Sequence, residues 1–131
     1  PDKEVWCISG DGSIQMNIQE YTTAVIHKLP VKVAILNNGF YGMVRQWQHF
    51  FYKNRFSSST MECNPDFVKL SEAYGGLGIR VTRKEDVRAA IDKARSVHDR
   101  PVFLDFVCPK DENVMPMIPS GGSMEQIMDM A

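Results

Sequence analysis

The sequence predicts an α/β fold, with a parallel sheet flanked by helices and an irregular C-terminal arm. Short runs rich in β-branched and aromatic residues alternate with segments whose apolar residues recur at helical spacing. This alternation is typical of parallel strands joined by crossover helices. After the last strand-like run the chain keeps neither pattern. A length of 131 residues suits one domain, so we expect a single domain over residues 1–131, with an irregular arm over residues 109–131.

The first half of the chain predicts two strands and two helices. Residues 5–8 form the first strand-like run. Residues 14–27 place apolar side chains close to one helical face, and Ser13 can cap that helix. Residues 31–36 are almost continuously apolar, which predicts a buried central strand. Residues 42–53 predict a helix rich in aromatic side chains.

A polar loop and a further helix follow. Residues 55–63 are rich in serine and other polar side chains, which predicts an exposed loop. Asn64 followed by Pro65 predicts a helix start, because asparagine caps helices and proline suits the first helical position. The glycine pair at residues 75–76 predicts the end of that helix.

Two more strands and one helix complete the predicted domain. Residues 79–81 form a short strand-like run. Thr82 and Glu85 have the spacing of a capping box, so a helix is expected to start there. Residues 101–107 are almost continuously apolar and predict the last strand.

Composition excludes several classes of protein. A formal net charge of −1 does not suit a nucleic-acid-binding protein, which needs a basic excess. No apolar stretch reaches membrane-spanning length, so no membrane partner is expected. Cys7, Cys63 and Cys108 are odd in number and far apart, which predicts reduced thiols in a reducing compartment. The chain enters a strand almost at once, without a signal peptide, so we expect a domain truncated at its N-terminal side.

Two turns that carry candidate ligand-binding groups follow the first two predicted strands. Gly10-Asp11-Gly12-Ser13 ends the first strand, and Asn37-Asn38-Gly39 ends the second. Ligands of open parallel sheets bind beyond the carboxyl ends of the strands. Asp11 would repel a bare phosphate, so its presence suggests a cation between them, and carboxylate, amide and carbonyl oxygens suit Mg²⁺ bridging a diphosphate. Each turn alone is most often only a turn, but two of them bracketing one helix are more specific.

These turns resemble a known cofactor motif. Gly-Asp-Gly, the 24 residues from Ser13 to Leu36, and Asn-Asn together are similar to the thiamine-diphosphate motif of the pyruvate-oxidase and decarboxylase superfamily. The resemblance implies a thiamine-diphosphate-binding fold. It also implies that Mg²⁺ is held by the Asp11 carboxylate, the Asn38 side chain and the Phe40 backbone oxygen. The implied cofactor-binding residues are Gly10, Asp11, Gly12, Ser13, Asn38, Phe40, Tyr41, Gly42 and Met43.

Longer motifs resemble one family within that superfamily. The runs over residues 42–48, 64–67 and 115–122 look like those of the acetohydroxyacid synthase (acetolactate synthase) catalytic subunit, and the match extends from Val5 to Gly122. The resemblance implies a channel for substrates, and for sulfonylurea and imidazolinone herbicides, lined by Met43, Val44, Trp47 and Ser120. From the residues alone, Trp47 would be assigned to core packing, because it lies four positions from Phe51 on one helix.

The same resemblance implies the activity and setting of a full-length protein. Such a transferase decarboxylates pyruvate and condenses it with a second 2-ketoacid, pyruvate or 2-ketobutyrate, in branched-chain amino acid biosynthesis. It is a flavoprotein that binds FAD through a domain absent here, forms a homodimer or homotetramer, and can carry a regulatory subunit. It lies in the bacterial cytoplasm or the chloroplast stroma. No residue of this chain is assigned as catalytic, because the glutamate that activates the cofactor comes from a neighbouring subunit, and the isolated chain is expected to be inactive.

Three alternatives are open at this point. Another thiamine-diphosphate-dependent 2-ketoacid decarboxylase or carboligase would share the metal motif but should lack the longer runs. A non-catalytic diphosphate-binding module would also carry the two turns. A dinucleotide-binding fold is the weakest alternative, because no Gly-x-Gly-x-x-Gly follows the first strand.

Overall fold

The structure, a computed structural model, describes residues 3–129 and contains one sheet. Its strands are β1 (Trp6–Gly10), β2 (Lys32–Asn37), β3 (Leu77–Val81) and β4 (Val102–Val107). All neighbouring strands are parallel, in the order β1-β2-β4-β3. The predicted parallel sheet flanked by helices is therefore confirmed, and each predicted strand agrees with an observed one to within two residues.

Helices connect successive strands and cover both faces of the sheet. The α-helices are α1 (Asp11–Ile14), α2 (Glu20–Ile26), α3 (Gly42–Phe51), α4 (Phe67–Tyr74) and α5 (Val87–Arg95). Two turns of 3-10 helix, Lys84–Asp86 and Met124–Gln126, complete the helical structure of the described chain. None of the helices in residues 3–129 has the length and apolar character needed to cross a bilayer.

The core is divided between the two faces of the sheet because side chains of a strand alternate in direction. Along β4, Phe103 joins the cluster under α2 and α4, whereas Val102 and Leu104 join the cluster under α5. The first cluster consists of the buried residues Tyr21, Val33, Ile35, Phe67 and Phe103. The second consists of the buried residues Val81, Ala90, Ala94, Val102 and Leu104.

The predicted helix over residues 14–27 is two helices, α1 and α2, joined by turns. Its predicted cap at Ser13 is wrong. The chain becomes helical directly after β1, at Asp11, so Ser13 already lies within α1 and Gly10 precedes the helix. The Gln15 side chain then bonds the Asp11 carbonyl oxygen at 2.9 Å, within the stretch where α1 stops.

Two predicted helix starts are also shifted. The helix expected from Asn64-Pro65 starts at Phe67, because the Asp66 carboxylate caps it by accepting the backbone N–H groups of Val68 and Lys69. Its end at Gly75 is confirmed, with a left-handed φ of 94°. The capping box expected from Thr82 and Glu85 does not form, since the turn that leads into α5 has Arg83 at its N-cap and no side-chain cap.

The C-terminal arm packs against α3 through the buried side chain of Gln46. Gln46 Nε2 donates to the Val114 carbonyl oxygen at 3.0 Å, and Gln46 Oε1 accepts the Val114 N–H at 2.7 Å. Arg45 adds an ion pair with Asp111 at 3.0 Å. Farther along, an antiparallel bridge joins Met117 and Met128. The division of the chain at residue 109 stays a prediction.

Candidate functional site

The turns after β1 and β2 lie side by side at the carboxyl edge of the sheet. β1 and β2 are parallel neighbours, and their register pairs Gly10 with Leu36. The next residues of each strand therefore leave the sheet at the same edge. The structure thus places Asp11 and Asn38 together.

The Asp11 carboxylate is buried, with 2 % of the residue exposed, and it bonds through one oxygen. Asp11 Oδ2 accepts the Gly39 backbone N–H at 2.9 Å and the Asn64 side-chain amide at 2.6 Å. The other oxygen, Oδ1, accepts no hydrogen bond from residues 3–129, and Asp11 lines a cleft at this edge. One carboxylate oxygen is therefore held by the protein while the other is open to a ligand.

The turn after β2 supplies further oxygen atoms. Asn38 Oδ1 accepts the Phe40 N–H at 3.0 Å, which folds the turn back on itself. Hydrogen bonds from Tyr41 N to Ser59 O and from Met61 N to Gly39 O, both at 2.9 Å, fix the turn to the following loop. No hydrogen bond of the described chain goes to the Phe40 carbonyl oxygen, so this oxygen is available to a cation.

The cleft at this edge has a volume of about 550 Å³. Its polar floor comes from the two turns, and its walls include exposed apolar side chains. It is lined by Ile8, Ser9, Gly10, Asp11, Gly12, Ser13, Met16, Leu36, Asn38, Phe40, Tyr41, Gly42, Met43 and Val44. All nine predicted cofactor-binding residues are among them.

Close packing explains the glycine between Asp11 and Ser13. A Cβ atom at Gly12 would lie 3.0 Å from Tyr41 Cε1 and 3.2 Å from Met61 Sδ. These contacts are tighter than normal, so a side chain here would displace the neighbours that shape the cleft. Gly12 therefore keeps the two turns in contact.

A second cleft, of about 660 Å³, lies along α3. It is lined by Met43, Val44, Trp47, Gln48, Tyr52 and Arg55. Met43 and Val44 border both clefts, so Trp47 opens onto a space next to the two turns. Ser120, in the arm, lines neither cleft. The structure therefore brings together three of the four predicted channel residues.

The donor set fits a hard divalent cation. Within residues 3–129, no three His, Cys, Asp or Glu side chains form a metal-binding group. Among the described residues that line the cleft, Asp11 carries the one carboxylate, so a metal here would have that carboxylate, with amide and carbonyl oxygens and phosphate completing its shell. Mg²⁺ typically binds this way, through few protein ligands.

A partly buried polar network next to the two turns was not predicted. Asn64 Nδ2 lies 3.3 Å from Asn37 Oδ1, and Asn37 Nδ2 donates to Asp105 Oδ1 at 2.9 Å. Asp105, with 1 % exposed, also pairs with Arg80 at 3.1 Å. The one sign of this network in the sequence is Asp105 itself, an acidic residue inside the apolar run of β4.

The charges of this network stabilise one another. Hydrogen bonds to Asp105 and Asp66 raise the pKa of Arg80, and the bond to Asp105 has the larger effect. Arg80 reaches Asp66 at 2.7 Å. The Lys69 backbone N–H, together with Arg80, lowers the pKa of the Asp66 carboxyl group. The ionised forms of these groups are thus favoured around the start of α4.

The family model for the thiamine pyrophosphate enzyme, C-terminal TPP binding domain, matches residues 1–106. The chain belongs to this family. It is 51% identical, over 97% of its length, to the acetolactate synthase large subunit of Corynebacterium glutamicum. It is 44% identical, again over 97% of its length, to the acetolactate synthase isozyme 3 large subunit of Escherichia coli strain K12. The predicted resemblance to the acetolactate synthase catalytic subunit is confirmed.

Solved structures agree on the fold of this thiamine pyrophosphate (thiamine diphosphate) domain. A thiamine diphosphate-dependent 4-hydroxybenzoylformate decarboxylase from Rhodococcus jostii RHA1 superposes with a TM-score of 0.77 and 33% identity. The superposition covers 86% of this chain and 21% of the decarboxylase. The chain likewise spans about a fifth of the curated relatives above, at 21% and 22% of their lengths.

Proposed function

We propose that this TPP-binding domain holds the diphosphate of thiamine diphosphate through Mg²⁺ within an acetolactate synthase. In the complete protein, pyruvate is decarboxylated and condensed with a second 2-ketoacid, pyruvate or 2-ketobutyrate, for branched-chain amino acid biosynthesis. The observation that carries the cofactor role is the Asp11 carboxylate beside the cleft, with Oδ2 held by two donors and Oδ1 accepting no hydrogen bond from the described residues. The identity to acetolactate synthase large subunits supports the reaction.

Each part of the cleft has a role in this proposal. Asp11, Asn38 and the Phe40 carbonyl oxygen hold Mg²⁺, whose charge offsets that of the diphosphate. Gly42 and Met43 begin α3, and the first amides of a helix have no acceptor within it, so they favour the anionic diphosphate. Gly10, Gly12, Ser13 and Tyr41 complete the predicted cofactor contacts. When bound, thiamine diphosphate supplies an electron sink for the carbanion that decarboxylation leaves.

The apolar part of the site is proposed to guide substrates and exclude water. Met43 and Val44 stand between the two clefts, and Trp47 faces the second. They form the proposed channel for substrates and herbicides, and Ser120 of the arm, which lines neither cleft, is its fourth proposed residue. None of these side chains can accept or release a proton at neutral pH, so they shape the path and no catalytic residue is assigned in this chain.

The remaining properties of the complete protein belong to the same proposal. FAD binds through another domain, the enzyme is a homodimer or homotetramer, and a regulatory subunit can join it. The glutamate that activates the cofactor comes from a neighbouring subunit. The protein works in the reducing bacterial cytoplasm or chloroplast stroma, and the three free cysteines are compatible with a reducing compartment.

Calorimetric titration with thiamine diphosphate tests the metal role directly. We expect the purified chain to bind weakly and only with Mg²⁺, and Asp11→Ala to weaken binding at least ten-fold. Asp92→Ala, which removes an exposed carboxylate on α5, is the matched control and should bind like the wild type. Equal binding by the wild type and Asp11→Ala would contradict the proposal. Measurable acetolactate formation by the purified chain would contradict its assignment as inactive alone.

A second candidate reaction is supported by the structural similarity to a 4-hydroxybenzoylformate decarboxylase. A decarboxylase of this kind would need the same diphosphate site but a different channel. The higher identity to acetolactate synthases, 51% against 33%, favours the first candidate. Assaying the complete protein with pyruvate and with benzoylformate would separate the two, since only a decarboxylase of the second kind should prefer the aromatic substrate.

A further inference from the structure

We propose that Asn64 is a positioning residue for the metal site, and that its side-chain amide orients the Asp11 carboxylate toward the cation. This inference rests on the proposed Mg²⁺ and diphosphate site. Asn64 lies in the loop before α4, far from Asp11 in sequence, yet its amide nitrogen is 2.6 Å from Asp11 Oδ2. It is not among the residues that line the cleft, so its effect on the cation is indirect, and Asp11 is its shortest contact.

Three contacts fix the orientation of the Asn64 amide. Its nitrogen donates to Asp11 Oδ2 at 2.6 Å and to Asn37 Oδ1 at 3.3 Å, and its oxygen accepts Gln15 Nε2 at 3.1 Å. A flipped amide would bring its oxygen against the Asp11 carboxylate and its nitrogen against the Gln15 amide nitrogen. All three contacts would then be repulsive or lost. The structure therefore supports one orientation, with the donor on Asp11.

The carboxylate needs this donor to keep its direction. A buried charge must be hydrogen-bonded, and Asp11 Oδ2 has only two donors within residues 3–129. The Gly39 N–H is fixed by the backbone of the turn. The Asn64 amide comes from a different segment, the loop before α4, so the two donors together restrict rotation of the carboxylate. Oδ1 is then the oxygen left for the cation.

Asn64 is itself held in place by the network next to the site. Two residues further on, Asp66 caps α4 and pairs with Arg80 at 2.7 Å. Arg80 pairs with Asp105 at 3.1 Å, and Asp105 accepts the amide of Asn37, the second acceptor of Asn64. The loop and the side chain are thus anchored to β3, β4 and β2. Such support from surrounding residues is what fixes ligands in metal sites.

The test compares metal-dependent cofactor affinity with stability. For Asn64→Ala we expect binding of thiamine diphosphate with Mg²⁺, measured by calorimetry on the purified chain, to weaken about ten-fold, equivalent to about 1.4 kcal/mol. Raising the Mg²⁺ concentration should restore much of the binding, because the ligands are present but poorly oriented. Asn17→Ala is the matched control, since Asn17 is an exposed asparagine whose side chain makes no hydrogen bond within the described chain.

The outcomes distinguish this inference from the proposed function. If the wild type fails to bind with Mg²⁺, both fail. If Asp11→Ala loses binding but folded Asn64→Ala binds like the wild type and is only less stable to urea, Asn64 is merely structural and this inference alone is wrong. If Asn64→Ala does not fold, nuclear magnetic resonance of the wild type decides. The Asn64 side-chain amide signals should shift on addition of Mg²⁺ and thiamine diphosphate, and unchanged signals would overturn the inference.

Discussion

The Asp11 carboxylate accepts the backbone N–H of Gly39 at 2.9 Å, across the edge of two parallel strands. The contact joins the turn after β1 to the turn after β2. The Asp11 side chain therefore holds the two turns together and also lines the cleft. Gly39 has a left-handed φ of 71° in this turn. Such a backbone angle favours glycine, which accounts for the residue type at this position.

We expect Asp11→Ala to lower the free energy of unfolding as well as to weaken binding. The substitution leaves the Gly39 N–H and the Asn64 amide without their buried acceptor, which costs about 1–3 kcal/mol. Urea unfolding of the chain without cofactor measures this loss. Asp92→Ala should change stability far less because its carboxylate is exposed. An unchanged midpoint for Asp11→Ala would show that the two turns do not depend on this contact.

Gly78→Ala should destabilise the packing of α4 on β3. A Cβ atom at Gly78 would lie 2.6 Å from the backbone Cα and carbonyl oxygen of Val68, so the helix must shift. Overpacking of this kind costs about 1–3 kcal/mol. Gly10→Ala is a suitable control for stability, since its Cβ would have no neighbour closer than 3.7 Å. Equal urea midpoints for the two variants would refute the expected clash.

Tyr21 should make the chain less stable at high pH. Burial raises its pKa from 10.0 to about 12, and its hydroxyl bonds Ser71 at 2.6 Å and Pro101 O at 3.0 Å. Between these pH values the unfolded chain loses the Tyr21 proton while the folded chain keeps it, so stability falls as pH rises. In Tyr21→Phe this fall should be smaller, as urea unfolding at pH 8 and 11 would show.

The control for that experiment is Tyr52→Phe, which removes an exposed hydroxyl and should keep the wild-type dependence on pH. At neutral pH the free energy of unfolding of Tyr21→Phe should also be lower than that of the wild type by about 1 kcal/mol, because the hydrogen bonds of the hydroxyl are lost. The interpretation is wrong if Tyr21→Phe and the wild type lose stability equally between pH 8 and 11.

Gln46→Ala should release the C-terminal arm from α3. Gln46 bonds both backbone groups of Val114 at 3.0 and 2.7 Å, so its loss removes the acceptor of the Val114 N–H. We expect hydrogen exchange at Val114 to rise about ten-fold, which corresponds to about 1.4 kcal/mol of local stability. Gln48→Ala is the matched control, because Gln48 bonds Ser57 and Ser59 of the loop. Equal protection of Val114 in both variants would contradict this role.

The fold could be predicted because its signals are local. The apolar runs of β2 and β4 and the glycine-bounded turns fix where strands stop, and parallel pairing then puts Asp11 and Asn38 at one edge without further information. The helix boundaries were less accurate because neighbouring residues compete as caps. Asn64 and Asp66 both suit a helix start, and only the three-dimensional structure, in which the Asp66 carboxylate accepts the backbone N–H groups of Val68 and Lys69, shows which one caps α4.

The support of the site could not be predicted, since it depends on residues distant in sequence. Asn64 is 53 positions from Asp11, and Asp105 is 68 from Asn37. In the sequence, Asn64 has the features of a cap, and Asp105 has only the anomaly of a charge in an apolar strand. Their roles follow from the order β1-β2-β4-β3, which places β4 between β2 and β3.

Strand β1 has a practical consequence for work with this chain. Within residues 3–129 it pairs with β2 alone, and 73 % of Ile8 is exposed. The backbone amide and carbonyl groups on its unpaired side can form hydrogen bonds with a strand of another molecule, so edge strands of this kind are prone to self-association. Concentrated samples should therefore tend to associate. Titrations are best carried out at concentrations where light scattering gives the mass of a monomer.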